Sequence, residues 1–289
     1  MPTLSANGIE IYYEQIGTPG DRPLLLISGL GAQIVGWSSE FLAAIAARGF
    51  LVTVYDNRDV GLSSWFDHVG PVDPRRILTR EDAAPYLLSD MAADGAELVR
   101  ELGLGRVDVV GVSMGGMIAQ QFVIDHPELT RSLTSIMSSP DIASVGQPTE
   151  AAAISMMTPR SDDIDTFLDQ EVASWRLTAG SKYELDEEWV RAQALAAIER
   201  ARHPDGVTRH MAAVAQSPDR RPGLSSVRVP TVVIHGDEDP LVTPSGGEAT
   251  AQAIPGARYV VLTGVGHSLP REVWDEVIDE IDAISNAAN

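Results

Sequence analysis

The chain has 289 residues, enough for one large domain whose core needs no staple, and it contains no cysteine, which excludes disulfides, thiolate nucleophiles and cysteine metal sites. Its 21 basic and 41 acidic side chains give a net charge of -20, so nucleic acid and anionic membrane surfaces are not expected partners. The opening "MPTLSANGIEIYYEQIG" lacks a basic start and an apolar run of signal-peptide length, and no later segment is apolar for the length of a membrane span; the cytoplasm is the expected location.

Taken in order, the chain begins with a hairpin signal: "ANG" at 6–8 followed by the alternating "IEIYYEQIG" predicts an antiparallel edge. Short continuous apolar runs then mark strands buried on both faces, at 23–29, 50–57, 107–113, 132–139, 231–237 and 258–264. Helical periodicity lies between them in "SSEFLAAIAARG", "LLSDMAADGAELVRELG" and "GGMIAQQFVIDHPE", and after the last run in "REVWDEVIDEIDAI". Alternating strand and helix predicts an α/β fold, a mostly parallel sheet covered by helices on both faces. From Asp141 to Arg228 the alternation stops, and only helical stretches appear, around 163–180, 185–202 and 205–216. A stretch that long is not a loop, so residues 141–228 are expected to form a helical insertion interrupting a core made of 1–140 and 229–289. An insertion after a strand's C-terminal end overhangs the crevice of an open parallel sheet.

Ser113 stands where a strand run meets a helix run, inside "GVSMG", with Gly111 and Gly115 two residues to either side. A serine on such a turn presents its oxygen above the sheet, and the flanking glycines leave room for strand and helix to approach. The same pattern also suits simple close packing. A nucleophilic serine needs a base, and among six histidines His267, in "VLTGVGHSLPRE", follows the last strand at the same sheet edge. His235 ends a strand, His126 precedes Pro127, and His68, His203 and His210 fall in a loop or the insertion; structural roles are expected for these five. The base needs a carboxylate behind it, and "HGDEDPLVTP" supplies Asp237, Glu238 and Asp239.

With these residues in place the chain resembles the alpha/beta-hydrolase superfamily of serine esterases and lipases, over nearly the whole sheet portion. The resemblance implies an alpha/beta-hydrolase fold with a helical cap at 141–228. The family motif Gly-x-x-Asp-x-x-x-x-Pro falls on Gly236, Asp239 and Pro244, which selects Asp239 over Asp237 as the triad acid. The order Ser113, Asp239, His267 is the one this fold uses. An oxyanion hole is implied at the backbone N–H of Met114, after the nucleophile, and at that of Leu30 in "ISGLGAQIVGW", where Gly29 and Gly31 survive although Ser28 replaces the usual histidine. "YDNRDVGLSS" at 55–64 is similar to the family's Asp-x-Arg-Gly-x-Gly-x-Ser loop, in which Asp56, Arg58 and Gly61 are expected to be structural. Taken together, "DNRDVGLSS", "GVSMGGMIAQ" and "GVGHSLP" most resemble bacterial methylesterases acting on polyketides such as aclacinomycins.

The resemblance implies acyl transfer to water with a small-molecule ester as substrate and neither metal nor organic cofactor. Cofactor-free perhydrolases or haloperoxidases and lactonases share the triad and stay open as alternatives. From a different class, so does a ligand sensor on the hydrolase fold. Serine at the elbow argues against dehalogenases and epoxide hydrolases, which place aspartate there. Ser268 after the histidine separates the chain from many carbon-carbon hydrolases. Trp175 and Trp189, with Met156, Met157 and Met211, are the candidates for an apolar substrate pocket, although helix packing is the commoner role of such stripes.

Overall fold

The computed structural model describes residues 3–288. The hairpin β1 (Thr3–Ala6) and β2 (Ile9–Ile16) turns at Asn7 and Gly8, both at positive φ, as a tight hairpin requires. There follow β3 (Arg22–Ile27), α1 (Ser39–Ala46), β4 (Phe50–Tyr55), α2 (Pro74–Leu78) and α3 (Leu88–Glu101). Next come β5 (Val107–Val112), α4 (Met114–Asp125) and β6 (Thr130–Ile136). The helices α5 (Glu150–Met157), α6 (Ile164–Thr178), α7 (Glu187–Arg200), α8 (Pro204–Gln216) and α9 (Arg221–Leu224) fill the interval before β7 (Thr231–Gly236). The chain closes with α10 (Ser245–Ala253), β8 (Arg258–Leu262) and α11 (Trp274–Asn286).

One eight-stranded sheet results, in the order β1-β2-β4-β3-β5-β6-β7-β8. Only the β1–β2 and β2–β4 pairs are antiparallel. The continuous apolar runs exist because both faces are covered. Leu25, Ile27 and Val109 face a core layer shared with α3 and α4, while Leu24, Leu26 and Val110 face the layer under α1 and α11. The inner strand runs therefore alternate between two cores rather than between core and solvent. The run at 258–264 departs from the expected burial on both faces: β8 is the edge strand of the sheet, Arg258 and Val261 are exposed, and of its residues only Leu262 is buried. Sequence patterning locates every sheet strand to within a few residues, but α2, α5, α9 and α10 are short or weakly amphipathic and their apolar spacing does not announce them.

The parallel strands β4, β3, β5, β6, β7 and β8 deliver their C-terminal ends to one edge. Ser113 follows β5, the turn bearing Asp237, Glu238 and Asp239 follows β7, and the loop bearing His267 follows β8. Among the described residues no helix is long and apolar enough to cross a membrane.

Candidate active site

Ser113 sits between β5 and α4 at φ 58° and ψ -122°, in the region a non-glycine residue rarely enters. Its N–H donates to the Ile136 carbonyl at 2.9 Å, and its own carbonyl accepts from Ser138 Oγ at 2.9 Å, so the turn is held from the neighbouring strand and its loop. The bracketing glycines are demanded by backbone on backbone. A Cβ on Gly111 would lie 2.1 Å from the Gly115 carbonyl oxygen, and one on Gly115 would lie 2.1 Å from that of Ile27. The turn thus forces the serine side chain outward from a contact that tolerates no side chain at either glycine.

Ser113 Oγ–H donates to His267 Nε2 at 2.9 Å, and His267 Nδ1–H donates to Asp239 Oδ2 at 2.7 Å. The other carboxylate oxygen, Oδ1, accepts from the N–H groups of Leu241 and Val242, each at 2.9 Å. Burial pushes the Asp239 carboxyl upward, but the charge of His267, hydrogen bonds from His235 and His267 and the Val242 N–H outweigh it and bring it down to about 2. The buried carboxylate is therefore ionised wherever a folded enzyme would work. Asp237 and Glu238 go elsewhere: Asp237 Oδ1 accepts the Gly264 N–H at 2.6 Å and Glu238 accepts from Ser181 Oγ at 2.7 Å.

The turn Gly29–Ala32 lies against this group, since a Cβ on Gly29 would fall 3.4 Å from Ser113 Cβ. The N–H groups of Leu30 and Met114 have no hydrogen-bond partner among the described residues. Ser28 Oγ accepts from Trp37 Nε1 at 2.8 Å, and the Ser28 carbonyl accepts from Asn57 Nδ2 at 3.2 Å. Asp56 accepts the Ile34 and Leu62 N–H groups at 2.8 and 2.9 Å and pairs with Arg200 at 2.7 Å. Arg58 forms a buried two-pronged pair with Asp94, both contacts at 2.6 Å. Gly61 is at φ 57° with Asp56 Oδ2 2.1 Å from where a Cβ would stand. These three residues tie loops together.

Several contacts that hold the site come from the helical segment after β6, and sequence patterning missed them. The carbonyl of Thr178 accepts the His267 N–H at 2.6 Å, that of Ala179 accepts the Gly266 N–H at 3.0 Å, and the Lys182 N–H donates to Gly264 at 3.1 Å. Gly180, at φ 90°, makes this crossing possible: a Cβ there would lie 2.5 Å from the Gly266 nitrogen. On the other flank Arg209 of α8, fully buried, grips Asp59 with two contacts of 2.8 Å. Asp59 occupies the glycine position of the family loop and carries its positive φ, 67°. Aspartate tolerates that backbone, and its carboxylate is what reaches the insertion. Nothing in the spacing of Asp59 and Arg209, 150 residues apart, signals the pair.

The remaining histidines have identifiable partners. His235 Nε2–H donates to the Val242 carbonyl at 2.7 Å and lies 3.4 Å from Asp239. His203 contacts the Asp59 carbonyl and the Asp67 carboxylate and stacks on Trp65. His126 packs edge-on to Phe122, and His68 lies against Phe66. His210 on α8 is fully buried, with Nε2–H donating to the Arg58 carbonyl at 2.7 Å and Nδ1 accepting the Gly31 N–H at 3.3 Å. Burial pulls it down to about 4, against the favourable Arg58 carbonyl and Asp59 charge and assisted by the Arg58 and Arg209 charges, with Tyr86 edge-on nearby. The unfolded chain binds that proton at about pH 6.5, the folded chain only near 4. This contribution to stability is therefore undiminished above about pH 6.5 and falls on the order of 3 kcal/mol as pH drops toward 4. Thermal melts at pH 7 and 4.5 should show His210→Asn losing distinctly less stability between the two than wild type.

Trp175 and Trp189 meet edge to face with centroids 5.6 Å apart, each half-buried. Trp175 lies one turn before Thr178, whose carbonyl holds the His267 loop. Met156 and Met157 are exposed on α5, and Met211 is half-buried on α8.

The fold and the site geometry define a class: residues 22–270 match the family model of the alpha/beta hydrolase fold, and the chain belongs to that family. Over its whole length it is 29% identical to the Rhodomycin D methylesterase DauP of Streptomyces sp. (strain C5), covering 99% of that protein. It shares the fold of the enol-lactonase from Burkholderia xenovorans LB400, with a TM-score of 0.75 and 22% identity over 99% of this chain and 100% of the other. The meta-cleavage product hydrolase from Pseudomonas fluorescens IP01 superposes with a TM-score of 0.77 at 17% identity, over 100% and 98% of the two chains.

Proposed function

We propose that this protein is a serine hydrolase of carboxylic esters, a carboxylesterase and more narrowly a methylesterase, acting on a small-molecule ester. The hydrogen-bonded series Ser113, His267, Asp239 at the C-terminal edge of the sheet carries the reading. Full-length similarity to proteins named as methylesterases supports the ester and the methyl group.

In the proposed reaction Ser113 Oγ attacks the ester carbonyl while His267 Nε2 takes the serine proton. The charge on the former carbonyl oxygen is met by the N–H groups of Leu30 and Met114. His267 returns the proton to the departing alkoxide, which leaves as the alcohol. A water then repeats the sequence on the acyl-enzyme, giving the acid and the free serine. Asp239, ionised and buried, keeps Nδ1–H fixed and stabilises the imidazolium. Residues 141–228 serve in this reading as a cap over the site, on the core formed by 1–140 and 229–289. Trp175 and Trp189 select the substrate there.

A graded panel of p-nitrophenyl and methyl esters tests the proposal. Wild type is expected to turn over the short-chain esters, and Trp175→Ala should shift the ratio of kcat/KM between bulky and small esters about tenfold, a size typical of remote pocket contacts. Equal loss on every ester would assign the tryptophan to packing. Tight binding of esters with negligible turnover would make the protein a sensor instead.

A further inference from the structure

We propose that His210, outside the reacting group, is a positioning residue for the oxyanion hole: from α8 it fixes the turn whose Leu30 N–H meets the developing charge. The inference rests on the serine-hydrolase reading above.

The turn spans Gly29 to Ala32 and is closed by the Ala32 N–H donating to the Gly29 carbonyl at 3.2 Å. Gly31, in its interior at φ 66°, has its N–H on His210 Nδ1. The opposite ring nitrogen is anchored on the Arg58 carbonyl, so one imidazole bridges the turn and the loop after β4. Val207, one helical turn earlier on α8, presses the same spot: a Cβ on Gly31 would come within 3.0 Å of Val207 Cγ2. The adjoining Leu30 N–H has no hydrogen-bond partner among the described residues. A turn held at its closing bond and at its interior N–H has little freedom to rotate the peptide between Gly29 and Leu30. An oxyanion donor is effective because it is aimed before charge develops. The acceptor role requires Nδ1 without a proton, and a fully buried ring with its Nε2–H on a carbonyl is held in that tautomer.

Loosening this turn should lower kcat and leave KM nearly unchanged, because the donor acts on charge present only in the transition state. Two substitutions separate the bonds. His210→Gln places an amide near Nε2 and leaves Gly31 without an acceptor; His210→Asn places an oxygen near Nδ1 and gives up the Arg58 contact. The expected result is a kcat about tenfold lower for His210→Gln, less than the 10^2 to 10^3 of losing a donor outright, with most of it recovered in His210→Asn. Labelling of Ser113 by a fluorophosphonate is measured alongside.

A wild type that is labelled and active, with both variants falling equally, rising in KM, or unchanged, overturns the inference alone. A wild type that is neither labelled nor active removes the functional reading and this inference with it. Should either variant not fold, the Nδ1 nitrogen-15 shift of His210 in wild type decides. An unprotonated Nδ1 with the shift of a hydrogen-bonded acceptor, kept when a trifluoromethyl ketone binds, supports positioning; a protonated Nδ1, or an acceptor bond lost on binding, overturns it.

Discussion

Ser113→Ala is expected to abolish ester turnover while leaving the melting temperature within a few degrees of wild type. The alanine keeps the Cβ that the strained turn already accommodates, and the backbone bonds from Ser113 N–H to Ile136 and from Ser138 to the Ser113 carbonyl do not involve Oγ. What is lost is the proton partner of His267 Nε2 and, in the proposed mechanism, the attacking oxygen. Removing the nucleophile of such a triad costs on the order of 10^6 in turnover, with the residual rate coming from binding and the oxyanion donors. Initial rates on a p-nitrophenyl acetate assay, with active-site titration of the wild type to count competent sites, give the comparison. A variant retaining half the wild-type rate would remove Ser113 from the mechanism.

Asp239→Asn and Asp237→Asn are expected to differ by about three orders of magnitude, although the residues stand two positions apart. Asp239 is buried, ionised and bonded to His267 Nδ1 at 2.7 Å. An asparagine there keeps the size but can present N–H to the ring, favouring the wrong tautomer; in a serine protease the equivalent change lowers kcat about 10^4-fold. Asp237 is exposed and, among the described residues, accepts only the Gly264 N–H in the turn after β8, so its loss should cost about 1 kcal/mol of stability and less than tenfold in rate. Rates on one short-chain ester at a single pH decide. A near-dead Asp237→Asn beside a mild Asp239→Asn would reverse the assignment of the acid.

The acid end of the stability profile bears on the same carboxylate. Held at about 2 when folded against about 3.9 when unfolded, Asp239 contributes stability that is complete above the unfolded value and is lost as pH falls through about 2. His210 acts earlier on the way down, between about 6.5 and 4, so the two contributions occupy separate pH ranges.

By itself the sequence determined the sheet, because strands buried on both faces must be apolar throughout and Leu24–Ile27, Phe50–Tyr55, Val107–Val112 and Thr231–Gly236 announce that locally. It also singled out Ser113 and His267, since a nucleophile turn needs glycines within two residues and the chain offers one histidine after the last strand. These are short-range constraints, readable in a window. Between Asp237 and Asp239 the greater reach of the farther carboxylate and the family motif favoured Asp239, and the tertiary structure brought Asp239 to His267 and turned Asp237 toward Gly264. The loop bonds of Asp56, the Asp59–Arg209 pair, the Thr178–Lys182 crossing over the His267 loop and the hold of His210 on Gly31 were decided only in three dimensions. Each joins groups far apart in sequence, and the energy of a buried charge or hydrogen bond depends on who its neighbour is, which no periodicity or spacing encodes.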